Sequence, residues 1–295
     1  MFADVIYEKI VECRNPTVLG LDPRVEYVPD SIREKTKNDA AAVLEFNMKL
    51  IDALGDIIHI VKFQSAYYEM LGPAGAITLQ NSIAYAKEAG MIVILDAKRN
   101  DIGSTAQAYA DAYLSDTHYS ADALTVNGYL GTDGIKPFVD VCKENGKGIF
   151  ILVKTSNPSS GELQDLKLES GITVYEKMAE LVNNWGADIV GKNGYSSIGA
   201  VVGATYPEEL GKLRKMMPKA MLLVPGYGAQ GGGANDVKNG FDSNGNGAII
   251  NSSRGLMCAW KSKKNVDKYS HENFCAAARS EALIMKDSLI VAIKR

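Results

Sequence analysis

The stretch "ILDAKRNDIGSTAQAYA", from Ile94 to Ala110, opens as an apolar run and then sets four charges within six residues: Asp96, Lys98, Arg99 and Asp101. Ionised groups at the end of a buried strand are costly unless they satisfy one another or a ligand. Asp96 and Lys98 stand two residues apart, so on an extended strand their side chains share a face. Lys62, in the earlier apolar run "IIHIVKF", adds a second cation. The order Lys62, Asp96, Lys98, Asp101 alternates in sign, and in such a set each charge is kept ionised by an opposite neighbour. Taken singly, Lys98 also reads as a surface lysine, and Asp101 as a helix N-cap, a position that favours aspartate.

A second group of residues suits an anion. The loop from Gly226 to Gly233 is glycine-rich, and glycines let backbone N–H groups turn toward a phosphate. Gln230 can donate through its amide, and Arg254, in "NSSRG", offers a two-pronged fork to phosphate oxygens. The net charge of −3 over 295 residues supplies no general attraction for anions, so any bound anion must be held locally. The same balance predicts no nucleic-acid partner and no membrane-surface partner.

Metal and cofactor signatures are not found in the sequence. His59, His118 and His271 are scattered, and Cys13, Cys142, Cys258 and Cys275 include no C-x-x-C pair. "GLDPRVEYVPD" does not match a dinucleotide fingerprint. The expectation is therefore no metal and no cofactor. Unpaired thiols predict a reducing compartment, the cytoplasm. The N-terminal "MFADVIYEKIVECRN" carries acids early and lacks the apolar centre of a signal peptide; it reads as an amphipathic helix with Ile6, Ile10 and Cys13 on one face. No apolar run approaches membrane-spanning length.

The elements that must position these residues repeat in a regular way. Eight short apolar runs begin at Thr17, Ile57, Met91, Asp122, Gly148, Gly199, Ala220 and Gly247. Most are continuous rather than alternating, as parallel strands buried on both faces should be. Helix-like segments lie between them, such as "DAAAVLEFNMKLIDAL" with Val43, Phe46, Leu50 and Leu54 at helical spacing. Strand–helix alternation repeated eight times predicts an α/β fold, a (β/α)8 TIM barrel, with a doubly wound open sheet as the alternative. No linker or low-complexity tract divides the chain, so residues 1–295 read as one domain.

A barrel places its chemistry at the C-terminal ends of its strands. Asp22 ends the first run, Lys62 the second, Asp96 and Lys98 the third, Asn127 the fourth, and Lys154, Thr155 and Ser156 the fifth, while the glycine loop and "NSSRG" follow the last two. A phosphate site built from the loops after strands seven and eight recurs in this fold. The expected mouth thus has a phosphate grip on one side and an alternating charge network on the other.

These residues resemble those of the orotidine 5'-phosphate decarboxylase family. "LDAKRNDIGST" is similar to its Asp-x-Lys-x-x-Asp-Ile signature extended to Thr105, and "GLDP", "VKFQSAYYE", "KTSNPSSGE", "PGYGAQGG" and "NSSRG" fall in the family's order from about Leu19 to Gly255. "KTSNP" and "NSSRG" depart from the Met-Ser and Val-Gly-Arg forms of the shorter enzymes and resemble the longer-chain subgroup. Asn127 replaces the histidine common after strand four. The segment from Pro23 to Asn38 and the tail beyond Gly255 exceed what the minimal family member needs.

The resemblance implies loss of CO2 from orotidine 5'-phosphate to give UMP, the last step of pyrimidine synthesis, without a cofactor. It implies that Lys98 protonates C6, that Asp96 lies beside the substrate carboxylate, and that Lys62 and Asp101 complete the network. It further implies a homodimer with shared sites, Asp101 and Thr105 reaching in from the second subunit. Ser156 would contact the pyrimidine, Asp22 the ribose or base region, and Gln230 and Arg254 the phosphate with Tyr227 nearby; Asn127 is a further candidate contact. Three rival readings stand beside this one: a metal-dependent phosphosugar epimerase or synthase on the same barrel, a class I aldolase using Lys98 or Lys154, and a non-catalytic nucleotide-binding barrel.

Overall fold

Eight parallel strands close into a barrel in chain order in the computed structural model, which describes residues 1–228 and 231–294. The strands are β1 Thr17–Leu21, β2 Ile60–Gln64, β3 Ile92–Arg99, β4 Ala123–Val126, β5 Gly148–Lys154, β6 Ser196–Val202, β7 Ala220–Pro225 and β8 Ala248–Ser252. β8 pairs with β1 to complete the ring, Val18 lying opposite Asn251. β1, β4, β6 and β8 are buried along their whole length, which is why their sequences run apolar without alternation. The expected (β/α)8 TIM barrel is thus the fold that forms, not the open doubly wound sheet.

The intervening helices follow their local signals. Helix Asp39–Leu54 is capped by Asn38, whose side chain accepts from the Ala41 N–H, and it buries Val43, Phe46, Leu50 and Leu54. Helix Val174–Trp185 opens with a capping box between Thr173 and Glu176. Helix Pro207–Met216 places its proline at the first turn, where the missing N–H is harmless. β6 starts three residues before the expected Gly199 and ends at Val202, because Ser196 already pairs with Ala220 of β7.

Two segments complete the barrel. The N-terminal helix Phe2–Cys13 buries Phe2, Ile6 and Ile10, while Cys13 is only partly covered. Phe2 meets Phe150 of β5 edge-on, with ring centroids 6.0 Å apart. The long tail is no appendage: helix Phe274–Ala292 packs against helix Asp39–Leu54, with the Phe46 and Phe274 rings 5.3 Å apart and Arg279 paired with Asp56. Among the described residues no helix is long and apolar enough to cross a membrane, and all four cysteines are free thiols.

Candidate active site

A cavity of about 690 Å³ opens at the C-terminal ends of the strands, where a barrel carries its chemistry. Asp22, Lys62, Asp96 and Lys98 line one side. Lys62 Nζ lies 2.9 Å from Asp96 Oδ2 and 3.5 Å from Asp22 Oδ1; Lys98 Nζ lies 2.6 Å from Asp96 Oδ1. Charges of alternating sign thus form a physical chain, Asp22–Lys62–Asp96–Lys98; of the expected order Lys62, Asp96, Lys98, Asp101, the first three come together, Asp22 joins at the other end and Asp101 does not join. The two cations are not equivalent: the Lys62 side chain is 4% exposed, buried between two acids, whereas that of Lys98 is 45% exposed and stands in the opening.

Asp96 is held at both oxygens. Gln64 Nε2 donates to Oδ2 and Thr125 Oγ1 to Oδ1, each at 2.9 Å, so four donors surround one carboxylate. Neither Gln64 nor Thr125 was expected in the site. Each had a signal: Gln64 follows Lys62 by two on β2 and shares its face, and Thr125 is the polar residue inside "ALTV". Lys98 reaches the opening by a different route from simple strand alternation. Its φ is +48°, a left-handed conformation costly for a residue with a side chain, and the β3–β4 register shifts between Leu95 and Arg99. The Lys98 N–H donates to Thr125 Oγ1 at 3.0 Å, which fixes the bulge. One threonine therefore holds both Asp96 and the backbone of Lys98.

Burial alone would push the Asp96 carboxyl up, but the charges of Lys62 and Lys98 and their hydrogen bonds outweigh it and hold it well below the usual carboxylate range. Burial would push Lys62 down, yet Asp22 and Asp96 hold it well above the ordinary lysine value. The depressed carboxyl stabilises the fold above its unfolded pKa and loses that contribution as pH falls through its folded one. The raised ammonium stabilises below its unfolded pKa and loses that contribution as pH rises through its folded one. Between about pH 5 and pH 9 both groups stay charged.

Gly226 and Tyr227 after β7, Arg254 after β8 and Ser156 after β5 also line the cavity. Gly226, Gly228 and Gly231 have φ of +105°, +75° and +94°, conformations a side chain would resist. Part of the loop is tied to itself, the Gly228 N–H donating to the Gly232 carbonyl at 2.7 Å. Arg254 opens a short helical turn directly after β8. Gln230, the other expected phosphate contact, lies outside the described residues. Arg24 and Tyr27, from the long segment after β1, also line the cavity.

Three expected site residues do not line the cavity of their own chain. Asn127 is exposed, and its Oδ1 accepts from the Tyr129 N–H at 3.0 Å, so it shapes a turn. Asp101 Oδ1 accepts from the adjacent Ile102 N–H at 2.8 Å, and the helix it precedes, Gly103–Leu114, has Ile102 as its cap, so Asp101 is not the N-cap. Thr105 is exposed on the first turn of that helix. Lys154, a candidate Schiff-base lysine, is 1% exposed and paired with Asp165 at 2.5 Å, away from the cavity.

The sequence model of the "Orotidine 5'-phosphate decarboxylase / HUMPS family" matches residues 17–269. A Rhodopirellula baltica protein named orotidine 5'-phosphate decarboxylase is 47% identical over 298 residues, covering 98% of each chain. One of the same name from Caldicellulosiruptor saccharolyticus is 42% identical over 308 residues, covering 99% of each. The solved structure of Leishmania donovani OMP decarboxylase superposes with a TM-score of 0.72 at 31% identity, covering 96% of this chain and 98% of that one.

Proposed function

The chain belongs to the orotidine 5'-phosphate decarboxylase / HUMPS family, and from that premise we propose that its barrel mouth removes CO2 from orotidine 5'-phosphate to give UMP without a cofactor. The observation that carries this reading is the geometry at Asp96, a carboxylate clamped between a buried lysine at 2.9 Å and an accessible one at 2.6 Å. Breaking the C6–carboxylate bond leaves its electron pair on C6, in an orbital that the ring carbonyls cannot delocalise. Many decarboxylases meet this problem with an electron sink. Here, fixed positive charge meets the developing negative charge, usually the largest catalytic term in a dry site. As CO2 departs, Lys98 Nζ donates a proton to C6 and becomes a neutral amine, which solvent reprotonates. Asp96 lies beside the substrate carboxylate, and its four donors keep it ionised there.

Binding is divided across the mouth. Ser156 contacts the pyrimidine, Asp22 the ribose or base region, and Arg254 and Gln230 the phosphate, with Tyr227 beside them. The phosphate lies far from C6, so its binding energy can order the loop and the charges without touching the reacting bond. The test is the ultraviolet absorbance of orotidine 5'-phosphate, followed with EDTA present. Loss of absorbance at catalytic enzyme concentration is expected; no change at micromolar enzyme sinks the reading, and abolition by EDTA alone favours the metal-dependent phosphosugar alternative. Borohydride added with substrate is expected to trap no adduct on Lys98.

Arg254→Ala is expected to weaken binding of phosphorylated ligands by about 2–5 kcal/mol, as for a charge pair broken in a desolvated site. Turnover of orotidine, which lacks the phosphate, should hardly change. Equal losses on both substrates would make Arg254 structural. The pH dependence follows from the network. Asp96 and Lys62 contribute no ionisation between about pH 5 and pH 8, so kcat/KM for orotidine should be flat there. With orotidine 5'-phosphate an inflection near pH 6 is expected from the second phosphate ionisation. An inflection in that window shared by both substrates would contradict a permanently ionised Asp96–Lys62 pair.

We also propose that the chain is a single domain, acts in the cytoplasm and works as a homodimer with shared sites. Ile102, Tyr129 and Leu130 are 55%, 75% and 46% exposed beside Asp101, an apolar surface at the rim of the mouth. They are close together: a Cβ added to Gly134 would stand 3.1 Å from both the Asp101 carbonyl oxygen and Leu130 Cβ. A two-fold contact on this surface would carry Asp101 and Thr105 into the partner's site.

A further inference from the structure

Lys154 ends β5, immediately before the segment that supplies Thr155, Ser156 and Asn157 to the wall of the cavity. Its own ammonium turns away. Nζ lies 2.5 Å from Asp165 Oδ1, 4.7 Å from the centroid of the Tyr206 ring and 5.4 Å from that of Tyr175. A lysine that is 1% exposed needs such company, since an isolated buried ammonium would lose its charge or unfold its surroundings. The partner is notable for its position: Asp165 lies 11 residues downstream, so the ion pair closes residues 155–165 on themselves. Gln164 adds a second clasp at the same place, its Oε1 accepting from the Thr155 N–H at 2.9 Å and its Nε2 donating to Thr155 Oγ1 at 2.8 Å.

Ser156 sits between this clasp and the end of β6. The Gly203 N–H donates to the Lys154 carbonyl at 2.8 Å, and Thr205 Oγ1 donates to the Ser156 carbonyl at 3.4 Å. The approach is so close that a Cβ on Gly203 would stand 2.8 Å from Ser156 Cβ. With Gly203 behind it and the clasp in front, Ser156 has little room to wander while Lys154 and Asp165 stay paired.

We propose that Lys154 is a positioning residue for recognition of the pyrimidine: it fastens Asp165 to the barrel wall, and the closed segment 155–165 then presents Ser156 to the base. This rests on the assignment of Ser156 to the pyrimidine made above. Lys154→Met keeps the apolar stem and leaves the half-exposed Asp165 to water, so no buried charge is stranded.

The test compares two ligands in each variant. UMP carries the base; ribose 5-phosphate carries only the sugar and the phosphate. Lys154→Met is expected to weaken UMP by about five- to ten-fold, the scale of one lost hydrogen bond, while ribose 5-phosphate changes by less than about two-fold. KM for orotidine 5'-phosphate should rise with the UMP constant. In a Ser156→Ala background, Lys154→Met should add almost nothing, because the contact it positions is already gone. Equal weakening of both ligands, no weakening of either, or additive effects with Ser156→Ala would overturn the proposal. Gln164→Ala opens the other clasp at a less buried position and must show the same selective loss, so the question stays answerable if Lys154→Met fails to fold. Wild-type turnover and Ser156→Ala alone report separately on the decarboxylase reading and on the base assignment.

Discussion

Lys98→Ala is expected to lower kcat for orotidine 5'-phosphate by about 10⁴-fold or more, the combined scale of a lost general acid and a lost fixed charge. UMP affinity should stay within about ten-fold of wild type, because a product without the C6 carboxylate makes no proton demand and the phosphate contact proposed for Arg254 is untouched. The fold should survive. The Lys98 side chain is 45% exposed, and Asp96 keeps Lys62, Gln64 and Thr125 when Lys98 is shortened. Lys62→Ala is the instructive contrast. It removes a buried cation from between Asp22 and Asp96, and a loss of about 3–5 kcal/mol of stability is expected as two acids are left facing each other. Single-turnover rates and thermal melting, measured on both variants, separate the roles. If Lys98→Ala keeps more than about one part in a hundred of kcat, Lys98 is not the proton donor.

The division of labour between the two lysines shows how far the sequence could be read. Which residues alternate in charge, and that they stand at strand ends, was visible because strand termini are set by local apolar runs. Which lysine is buried was not visible, since that depends on how β2 and β3 sit beside one another, Lys62 opposite Ile94. Alternation predicts the face shared by Asp96 and Lys98, but a bulge with a left-handed residue produces it; "ALTV" marks Thr125 as a polar residue in a buried strand without revealing that its hydroxyl fixes this bulge. Gln64 shares the face of Lys62 on β2, but its role emerges only from the pairing that sets Asp96 beside it on β3. Asn127 shows the converse: a polar residue at a strand end also serves its own turn, here through the Tyr129 N–H. Ala106 and Ala110 of helix Gly103–Leu114 are buried in their own core, so that face of the helix offers no surface to a partner.

The apolar surface that remains, around Asp101, leads to the second large effect. Among the described residues no lysine or arginine pairs with Asp101, whereas Lys98 of the same chain already has Asp96 and stands open to the mouth. If Asp101 serves the neighbouring subunit, Lys98→Ala and Asp101→Ala should each be nearly inactive alone, for different reasons, and should rescue each other when combined. The two variants are unfolded together and refolded at equal amounts. With random pairing about half of the dimers are mixed; in each of these one site collects both lesions and the other none, so about a quarter of all sites are intact. The expected activity is therefore about a quarter of wild type, with KM unchanged because the working sites are complete. A gradual rise to that level as subunits exchange, without unfolding, would report the same geometry kinetically. If Asp101 acts within its own chain, every site in every dimer keeps one lesion and mixing restores nothing. No recovery, with mixed dimers shown to form by differential tagging, would rule out the shared site while leaving the role of Lys98 untouched.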